Sequence, residues 1–290
     1  MKTKHKILLA SMLSKPFIWG YKAVGKRQPI QASRAGLKWE LDLAEGLDFS
    51  IYLFGAVEPR TINLYKKLVK SDDVIFDIGA NIGAHSIFLA SLVGERGHVH
   101  SFEPTSFAIN KLNKNLALNP ELKDRITVNQ AMVTEKVGEK IGNSFYSSWP
   151  IQKKGGKDEI MHEEHCGVAM DASQAEAVTL DAYAEDHEIT KLSLVKIDVD
   201  GFENVVMKGG IKTLEKFKPI IVAELAPYTH EEHGYSFEEY IQYYKSLGYR
   251  LYIIEDKKYV EADGAKIKSE IPTGSSKNML AIPTSMDISI

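Results

Sequence analysis

The segment that most constrains the fold of this chain is VIFDIGANIGAHS, residues 74–86. Val74 to Phe76 form an unbroken apolar run, which is typical of a strand covered on both faces of a sheet. Asp77 follows where that strand meets a glycine-rich turn, and a helix follows the turn. Gly79 and Gly83 permit close approaches that a Cβ atom would forbid, and a helix begins with unpaired N–H donors. The segment therefore predicts a strand, a ligand-binding loop and a helix in succession.

A second acidic residue supports a ligand site at this loop. The apolar run His98 to Phe102 ends in Glu103, where an open parallel sheet places an acceptor for ribose hydroxyls. A dinucleotide-binding loop would read G-x-G-x-x-G and would donate N–H groups to a pyrophosphate. Here Asn81 replaces the middle glycine, and the negative charge of Asp77 disfavours a pyrophosphate but suits a cationic ligand with an amino group. S-adenosylmethionine, with its ammonium, sulfonium and ribose, fits these requirements better than a nicotinamide dinucleotide.

Several motifs occur in an order that is similar to that of a known family. They are DIGANIGAHS, SFEPTSFAINKLNKNLALN, VTLDAY, LVKIDVDGFENVVMKGG and PIIVAEL. In this order they resemble the FkbM family of S-adenosylmethionine-dependent methyltransferases, and the KID-x-[DE]-G-x-E segment is the most specific of them. The chain departs from the family with Asp200, where Glu is more usual, and with a long polar insertion after Val137. The resemblance implies a class I methyltransferase fold and methyl transfer to oxygen, often to a hydroxyl of a sugar, a polyketide or another small metabolite.

The resemblance and the positions of the polar residues together predict a cofactor site. The loop glycines and Asn81 are expected to surround the methionine moiety, Asp77 to hold its ammonium directly or through water, and Glu103 to pair with the ribose. The predicted cofactor-binding residues are Asp77, Gly79, Asn81, Gly83, Ser86 and Glu103.

The predicted catalytic residues follow two neighbouring strands. Asp198 and Glu224 are the last polar groups of these strands, with His230 as a further candidate base. In enzymes that resemble catechol O-methyltransferase, carboxylates at such positions hold magnesium, so Asp198 and Glu224 are also candidate Mg²⁺ ligands. In the alternative interpretation, Asp198 acts directly as a base, while Asp200 and Glu203 cap the helix that follows.

Two HEEH strings, His162 to His165 and His230 to His233, do not predict zinc. In the zinc signature H-E-x-x-H the histidines lie four positions apart, whereas here they lie three apart. His230 or His233 could still act as a base, because this segment follows Glu224 at a strand end.

The composition agrees with a soluble enzyme that has one α/β core and appendages, but it does not single out a function. The chain has 290 residues, 44% of them apolar, and a net charge of −3, which gives no basic field for a nucleic acid. Cys166 is the single cysteine, so an intrachain disulfide is excluded and a reducing cytoplasm is expected. No apolar run reaches the length of a transmembrane span. We expect a small-molecule or glycan acceptor, no nucleic-acid partner, and leave homo-oligomerisation open.

The chain is predicted to begin with an accessory segment, residues 1–60, followed by a methyltransferase domain, residues 61–290. The basic and apolar start resembles a signal peptide but lacks a clean cleavage site after Leu13. It predicts a short amphipathic helix that caps the domain, touches a membrane surface or packs on a partner. Residues 41–54 alternate around Glu45-Gly46 and predict a pair of short strands.

From Asp73 onward, strand and helix patterns alternate, which predicts a doubly wound sheet. Strands are predicted at 74–78, 98–103, 126–130, 193–198, 219–225, 250–255 and 278–283. Helices are predicted at Ser86 to Val93, Ala108 to Leu118, Phe202 to Leu214 and Phe237 to Leu247. With the family resemblance, the predicted fold is α/β, a Rossmann-like class I methyltransferase with a seven-stranded sheet that is mostly parallel and has an antiparallel last strand.

Residues 138–177 interrupt this alternation with glycines, serines and charged residues. A loop of this length in a compact domain is usually a lid or a binding loop. Because it follows the third strand of the sheet, it is expected over the carboxyl ends of the strands, where Phe145, Tyr146 and Trp149 either face the acceptor or anchor the loop. Two other functions stay open as alternatives, a nicotinamide-dependent oxidoreductase and a non-catalytic binding protein on a methyltransferase scaffold.

Overall fold

A computed structural model describes residues 3–23, 25, 28–152, 161–164, 166–255 and 258–287. Its helices are α1 (Thr3–Ala23), α2 (Gly46–Phe54), α3 (Pro59–Leu68), α4 (Ser86–Leu92), α5 (Ser106–Ala117), α6 (Leu180–Asp186), α7 (Glu203–Gly209), α8 (Ile211–Phe217), α9 (Pro227–Glu232), α10 (Phe237–Ser246) and α11 (Gly264–Ser269), with a 3-10 helix at Pro120–Arg125. Its strands are β1 (Ile30–Arg34), β2 (Leu37–Leu41), β3 (Val74–Ile78), β4 (His98–Phe102), β5 (Ile126–Asn129), β6 (Ala131–Val133), β7 (Ser144–Ser148), β8 (Val168–Asp171), β9 (Glu176–Val178), β10 (Leu194–Ile197), β11 (Ile220–Leu225), β12 (Tyr249–Ile254), β13 (Tyr259–Glu261) and β14 (Lys277–Pro283). None of the helices in these ranges is long and apolar enough to cross a membrane.

The main sheet has eight strands in the order β13-β12-β14-β11-β10-β3-β4-β5. The five from β11 to β5 are parallel, whereas β14 lies antiparallel between β11 and β12. The seven predicted strands are confirmed, as is the antiparallel last strand, and the short edge strand β13 is an addition. The strand order reverses at β3, and open α/β sheets bind ligands at such a point.

The N-terminal strand pair was predicted at the wrong place. Residues 46–54 form α2, and the hairpin lies earlier, where β1 pairs with β2. The helix is favoured because the buried Asp48 carboxylate in its first turn accepts from the N–H of Asp42 at 2.9 Å and pairs with Lys111 of α5 at 2.6 Å. Gly55, with φ +80°, then ends α2 in the left-handed conformation that favours glycine. The alternating pattern was therefore overridden by tertiary contacts.

The predicted helix from Phe202 to Leu214 is divided into α7 and α8 at Gly210. A Cβ atom on the preceding Gly209 would lie 2.0 Å from the carbonyl oxygen of Thr134. The turn between α7 and α8 approaches the backbone of Thr134 so closely that a side chain at Gly209 would not fit, which explains the glycine where the helix breaks.

Both faces of the sheet are covered by apolar clusters. Phe76 belongs to the cluster on one face, and Ile75, its neighbour along β3, to the cluster on the other. Trp39 and Phe49 from the N-terminal segment are buried in the same cluster as Ile75. The first sixty residues thus contribute to the core, and their division from the rest stays a prediction.

We predict that Gly79→Ala destabilises the fold more than Gly36→Ala does. Both glycines have positive φ, +79° and +82°, so each substitution carries a backbone strain of about 1–2 kcal/mol. A Cβ at Gly79 would also lie 1.8 Å from the carbonyl oxygen of Asp198, whereas nothing lies within 4 Å at Gly36. Gly79→Ala must therefore separate the ends of β3 and β10 as well. Urea denaturation measures both losses, and equal losses would contradict the close approach.

Candidate active site

The carboxyl ends of the central strands open into one cavity of about 1040 Å³. Ligand pockets commonly measure about 300–1000 Å³, so this cavity is large enough for a cofactor with a small acceptor beside it. The predicted site residues that line it are Gly79, Asn81, Glu103, Asp198 and Glu224. Asp77, Gly83, Ser86 and His230 are not part of its wall.

The loop after β3 uses its N–H groups within the protein. The N–H groups of Gly79 and Ala80 both donate to the carbonyl oxygen of Phe102, and that of Gly83 donates to the carbonyl oxygen of Ala80. The N–H of Asn81 donates to the carboxylate of Glu103, and that of Ile82 donates to the amide oxygen of Asn81. All five distances are 2.8–3.0 Å. The unpaired donors expected at the start of the following helix lie outside this loop, and that expectation stays a prediction. A pyrophosphate would find no free donor among these five groups, which disfavours the nicotinamide alternative.

Gly83 has a packing role. Its φ is +83°, and a Cβ there would lie 2.9 Å from Cγ of Leu112 on α5. The residue thus allows α5 to approach the loop closely, and it does so behind the cavity wall.

Glu103 is buried at the end of β4 with one side toward the cavity. One carboxylate oxygen accepts from the N–H and the hydroxyl of Thr105, at 2.9 and 2.6 Å, and the other accepts from the N–H of Asn81 at 3.0 Å. Burial raises the pKa of Glu103, and these hydrogen bonds oppose that shift. A carboxylate offers about four acceptor positions, so one remains for a ligand hydroxyl.

Asp77 lies behind the cavity wall, where it holds Lys196. Its Oδ2 accepts from the hydroxyl of Ser86 at 2.5 Å, and its Oδ1 lies 3.5 Å from Lys196 Nζ. The same ammonium lies 3.4 Å from Asp198 Oδ2 and donates to the carbonyl oxygen of Gly79 at 2.7 Å. Burial disfavours this ammonium, but Asp198 and Asp77 outweigh burial and raise the pKa of Lys196 above its ordinary value. Lys196 was missed in the sequence, although a lysine inside the apolar run LVKI is a signal for a buried charge.

Three carboxyl groups face the cavity beyond Lys196. The side chain of Asp198 is 35% exposed. Burial, and next the charge of Asp198, raise the pKa values of Asp200 and Glu224 well above their ordinary range. The protonated form is therefore favoured at Asp200 and Glu224, while Asp198 is paired with an ammonium.

The magnesium prediction for Asp198 and Glu224 stays a prediction. In the described parts of the chain, no group of three or more His, Cys, Asp or Glu side chains is placed to hold a metal. Magnesium is often held by only one or two carboxylates and water, so a pair of carboxyl groups does not contradict the prediction. Asp198 Oδ2 also lies 3.4 Å from the ammonium of Lys196, which already supplies a positive charge there.

His230 is fully buried on α9 and does not reach the cavity. Its Nδ1 lies 2.7 Å from the amide oxygen of Asn204, and its Nε2 lies 3.1 Å from Oε2 of Glu203. This position does not support His230 as a base for an acceptor.

The other histidines of the two HEEH strings have different surroundings. His233 lines the cavity and donates from Nε2 to the carbonyl oxygen of Asp200 at 3.1 Å. His162 lies 3.0 Å from the carboxylate of Glu232. His165 falls outside the described residues.

The predicted insertion, residues 138–177, contains the antiparallel pair β7–β8 and contributes aromatic side chains to the cavity wall. Phe145, Tyr146 and Trp149 all line the cavity. Ser147 anchors the pair, because its hydroxyl lies 2.8 Å from Thr105 Oγ1 and its carbonyl accepts from the Asn81 amide at 3.3 Å. The lid action of this segment stays a prediction.

Sequence reasoning also missed the contribution of the N-terminal helices. Leu9 and Leu13 of α1 and Phe54 of α2 line the same cavity as the carboxyl groups. The segment predicted to be an accessory thus forms part of the wall.

Comparison with known proteins agrees with this geometry. The model of the FkbM methyltransferase domain matches residues 77–251. The hexuronic acid methyltransferase AglP of Haloferax volcanii is 26% identical over 166 residues, which cover 57% of this chain and 61% of that protein. The chain thus spans less than two thirds of the length of that relative.

Solved structures with a similar fold include two methyltransferases. One is an FkbM methyltransferase from Methylobacillus flagellatus, with a TM-score of 0.44, 16% identity, and coverage of 77% of this chain and 50% of that one. The other is an S-adenosylmethionine-dependent O-methyltransferase from Thermotoga maritima, with a TM-score of 0.45, 14% identity, and coverage of 92% and 82%.

The family match begins at Asp77, near the end of β3, and runs through Glu103 after β4, Lys196 on β10 and Asp198 after β10 to β12. It therefore includes the strand ends that form the cavity and covers more than half of the chain, and this confirms the resemblance in the sequence motifs. The chain belongs to the FkbM methyltransferase domain family.

Proposed function

We propose that this chain transfers a methyl group from S-adenosylmethionine to a hydroxyl oxygen of a sugar acid or a related small acceptor. The observation that carries the proposal is a single cavity in which Glu103 keeps a free acceptor position and Asp198 is accessible at the neighbouring strand end. The name of the relative AglP supports an acidic sugar as the acceptor. Lys6 and Lys140 line the cavity and are exposed, so they offer positive charge to an acceptor carboxylate.

The residues present fit the cofactor. S-adenosylmethionine supplies a methyl group on a positively charged sulfur. Glu103 would accept from a ribose hydroxyl with its remaining lone pair, because Thr105 and Asn81 occupy the others. Excess negative charge in the cavity favours a cationic ligand. Asp77 acts indirectly, because it lies behind the wall and fixes Lys196 and Ser86.

Asp198 and Glu224 are assigned different tasks. Asp198 would take the proton of the acceptor hydroxyl when that oxygen receives the methyl group. Burial and the charge of Asp198 raise the pKa of Glu224, and the protonated form that this favours can donate a hydrogen bond that orients the acceptor. Positioning of this kind supplies much of a rate enhancement, on the order of 7–11 kcal/mol when the reactants are held at attack distance.

Glu203 and His230 share one proton and position the loop that carries Asp198. The Asn204 amide donates to a carbonyl, so its oxygen faces His230 Nδ1, which must carry a hydrogen. Nε2 and Oε2 of Glu203 lie 3.1 Å apart and have no other hydrogen bond among the described residues, so one proton between them satisfies both. The other Glu203 oxygen accepts from the N–H of Val199 at 3.2 Å. The pair is therefore a positioning element of the site.

The first prediction for this function concerns the cofactor. Calorimetry should show binding of S-adenosylmethionine or S-adenosylhomocysteine and no binding of NAD. Glu103→Gln should weaken the binding by about 1.5–3 kcal/mol, because a hydrogen bond to a charged group is lost. Glu121→Gln, an exposed control, should leave it unchanged. Equal affinity in the two variants would contradict the assignment of Glu103.

The second prediction concerns the base. With a uronic acid glycan as acceptor, Asp198→Asn should lower kcat by about 10²–10⁴-fold, the usual contribution of a general base, and should leave cofactor affinity largely intact. Asp186→Asn, an exposed control, should have no effect. Chelation with EDTA should leave the wild-type rate unchanged. A rate that EDTA removes and Mg²⁺ restores would contradict direct base chemistry, and cofactor binding without any transfer would favour the non-catalytic alternative.

The third prediction uses the shared proton. Burial raises the pKa of Glu203 to about 7 and lowers that of His230 to about 4. Because the pKa of Glu203 is raised, folding requires this group to take up a proton, and the folded state loses stability as pH rises toward 7. Because the pKa of His230 is lowered, folding requires this group to release a proton, and the folded state gains stability as pH rises from about 4 to 6.5. The two effects offset each other at lower pH. Above about pH 6.5 only the Glu203 effect remains, so the free energy of unfolding falls there.

Glu203→Gln should remove that loss. The amide stays neutral, accepts from the loop N–H groups and can donate to His230 Nε2. Urea denaturation at pH 6 and pH 8.5 should show the free energy of unfolding of the variant gaining about 1.4 kcal/mol on that of the wild type, because wild-type Glu203 loses its proton over about one pH unit, between 6 and 7. Parallel pH profiles for the two proteins would contradict the shared proton.

A further inference from the structure

Helix α1 has apolar side chains on two opposite faces. Ile7, Ala10, Ile18 and Tyr21 pack against the core cluster on one side of the sheet. The opposite face presents large side chains to solvent, with exposed fractions of 62% for Leu8, 62% for Met12 and 73% for Trp19. A surface helix normally has one apolar face, toward the core, so the second face requires a separate explanation.

The outer apolar face continues beyond α1. Leu9 and Leu13 are also exposed, as are Leu53 and Phe54 at the end of α2, and α1 packs on α2. We call this surface the outer patch, and it consists of Leu8, Leu9, Met12, Leu13, Trp19, Leu53 and Phe54. Contiguous exposed apolar surface of this kind marks an interaction site.

The segment of the chain that contains α1 is strongly basic. The first 39 residues contain nine Lys and Arg and no Asp or Glu, although the whole chain has a net charge of −3. Lys6, Lys15 and Lys22 are exposed along α1 itself. A helix with Leu, Met and Trp on one face and lysines beside them is the pattern of a helix that lies in the plane of a membrane interface.

We propose that the outer patch docks this protein on an anionic lipid bilayer, with α1 lying along its surface. Apolar side chains would enter the boundary of the headgroups, and the neighbouring lysines would pair with acidic lipids. Leu9 and Leu13 belong both to the patch and to the cavity wall, so docking brings the cavity opening next to the lipid. The proposal goes beyond methyl transfer and does not depend on it.

A second copy of the chain is a less suitable occupant of this surface. Two patches facing each other would bring two basic segments together, and like charges at short distance repel. An anionic lipid surface complements both the apolar face and the charge. The charge of the segment therefore favours lipid over self-association.

The test measures binding of the full chain to lipid vesicles by sedimentation. The wild type should bind mixed phosphatidylcholine–phosphatidylglycerol vesicles, and binding should fall at high salt and on pure phosphatidylcholine. The triple variant Leu8→Ser, Met12→Ser, Trp19→Ser should bind at least about tenfold more weakly, since three apolar side chains no longer enter the boundary of the headgroups. Val137→Ser, which removes an exposed apolar residue outside the patch, should bind like the wild type.

Two controls separate docking from folding and from catalysis. None of the three substituted residues lines the cavity, so circular dichroism and S-adenosylhomocysteine affinity should be unchanged in the triple variant. Lys15→Gln with Lys22→Gln should weaken binding to anionic vesicles only. Failure of the wild type to bind anionic vesicles would overturn the proposal, as would wild-type binding by the triple variant. A dimer that the triple substitution dissociates, without vesicle binding, would assign the patch to a second copy.

Discussion

The candidate site depends on one buried ammonium, that of Lys196. Its Nζ lies between carboxylates from the two central strands, 3.5 Å from Asp77 and 3.4 Å from Asp198, and donates to the carbonyl oxygen of Gly79. Lys196 and Asp77 are register partners on β10 and β3, so this contact joins the strands at the point where the strand order reverses. Removal of one partner from a buried ion pair leaves an uncompensated charge and costs about 3–5 kcal/mol. The loops on either side of the cavity are therefore held to each other through a charge as well as through backbone packing.

One ammonium cannot balance all the carboxyl groups around it, and this imbalance separates their roles. Burial raises the pKa values of Asp200 and Glu224 and favours their protonated forms, and Glu203 shares its proton with His230. Asp198 is paired with the ammonium and partly exposed. Carboxyl groups whose environments separate their pKa values in this way can act as donors and acceptors in the same site at neutral pH. The different roles of the carboxyl groups thus follow from the presence of a single buried ammonium, that of Lys196, among them.

The sequence was sufficient for the sheet and only partly sufficient for the site. Apolar runs bounded by polar residues predicted the seven strands, because a strand covered on both faces consists mostly of apolar residues. The helix at 46–54 was missed because its stabilising partner, Lys111, lies 63 positions from Asp48. His230 follows a strand end closely in sequence, but α9 turns its side chain into the core, and no local pattern shows that direction. Contacts between distant segments, including the α1 side chains in the cavity wall, are what the sequence does not reveal.

The distribution of charge connects the interior of the site with the surface proposed to dock on lipid. The first 39 positions carry nine Lys and Arg and no acidic residue, with Lys6, Lys15 and Lys22 exposed on α1, whereas the remaining positions carry 27 Lys and Arg against 39 Asp and Glu. In front of an anionic surface such a molecule is oriented, because its basic end is attracted and its acidic portion is repelled. Since α1 lies both in the cavity wall and in the basic segment, the orientation that suits the charges also turns the cavity opening toward that surface. A helix that completes the core from one side and remains apolar on the other is consistent with this arrangement, whereas a helix that only capped the domain would need apolar residues on one face alone.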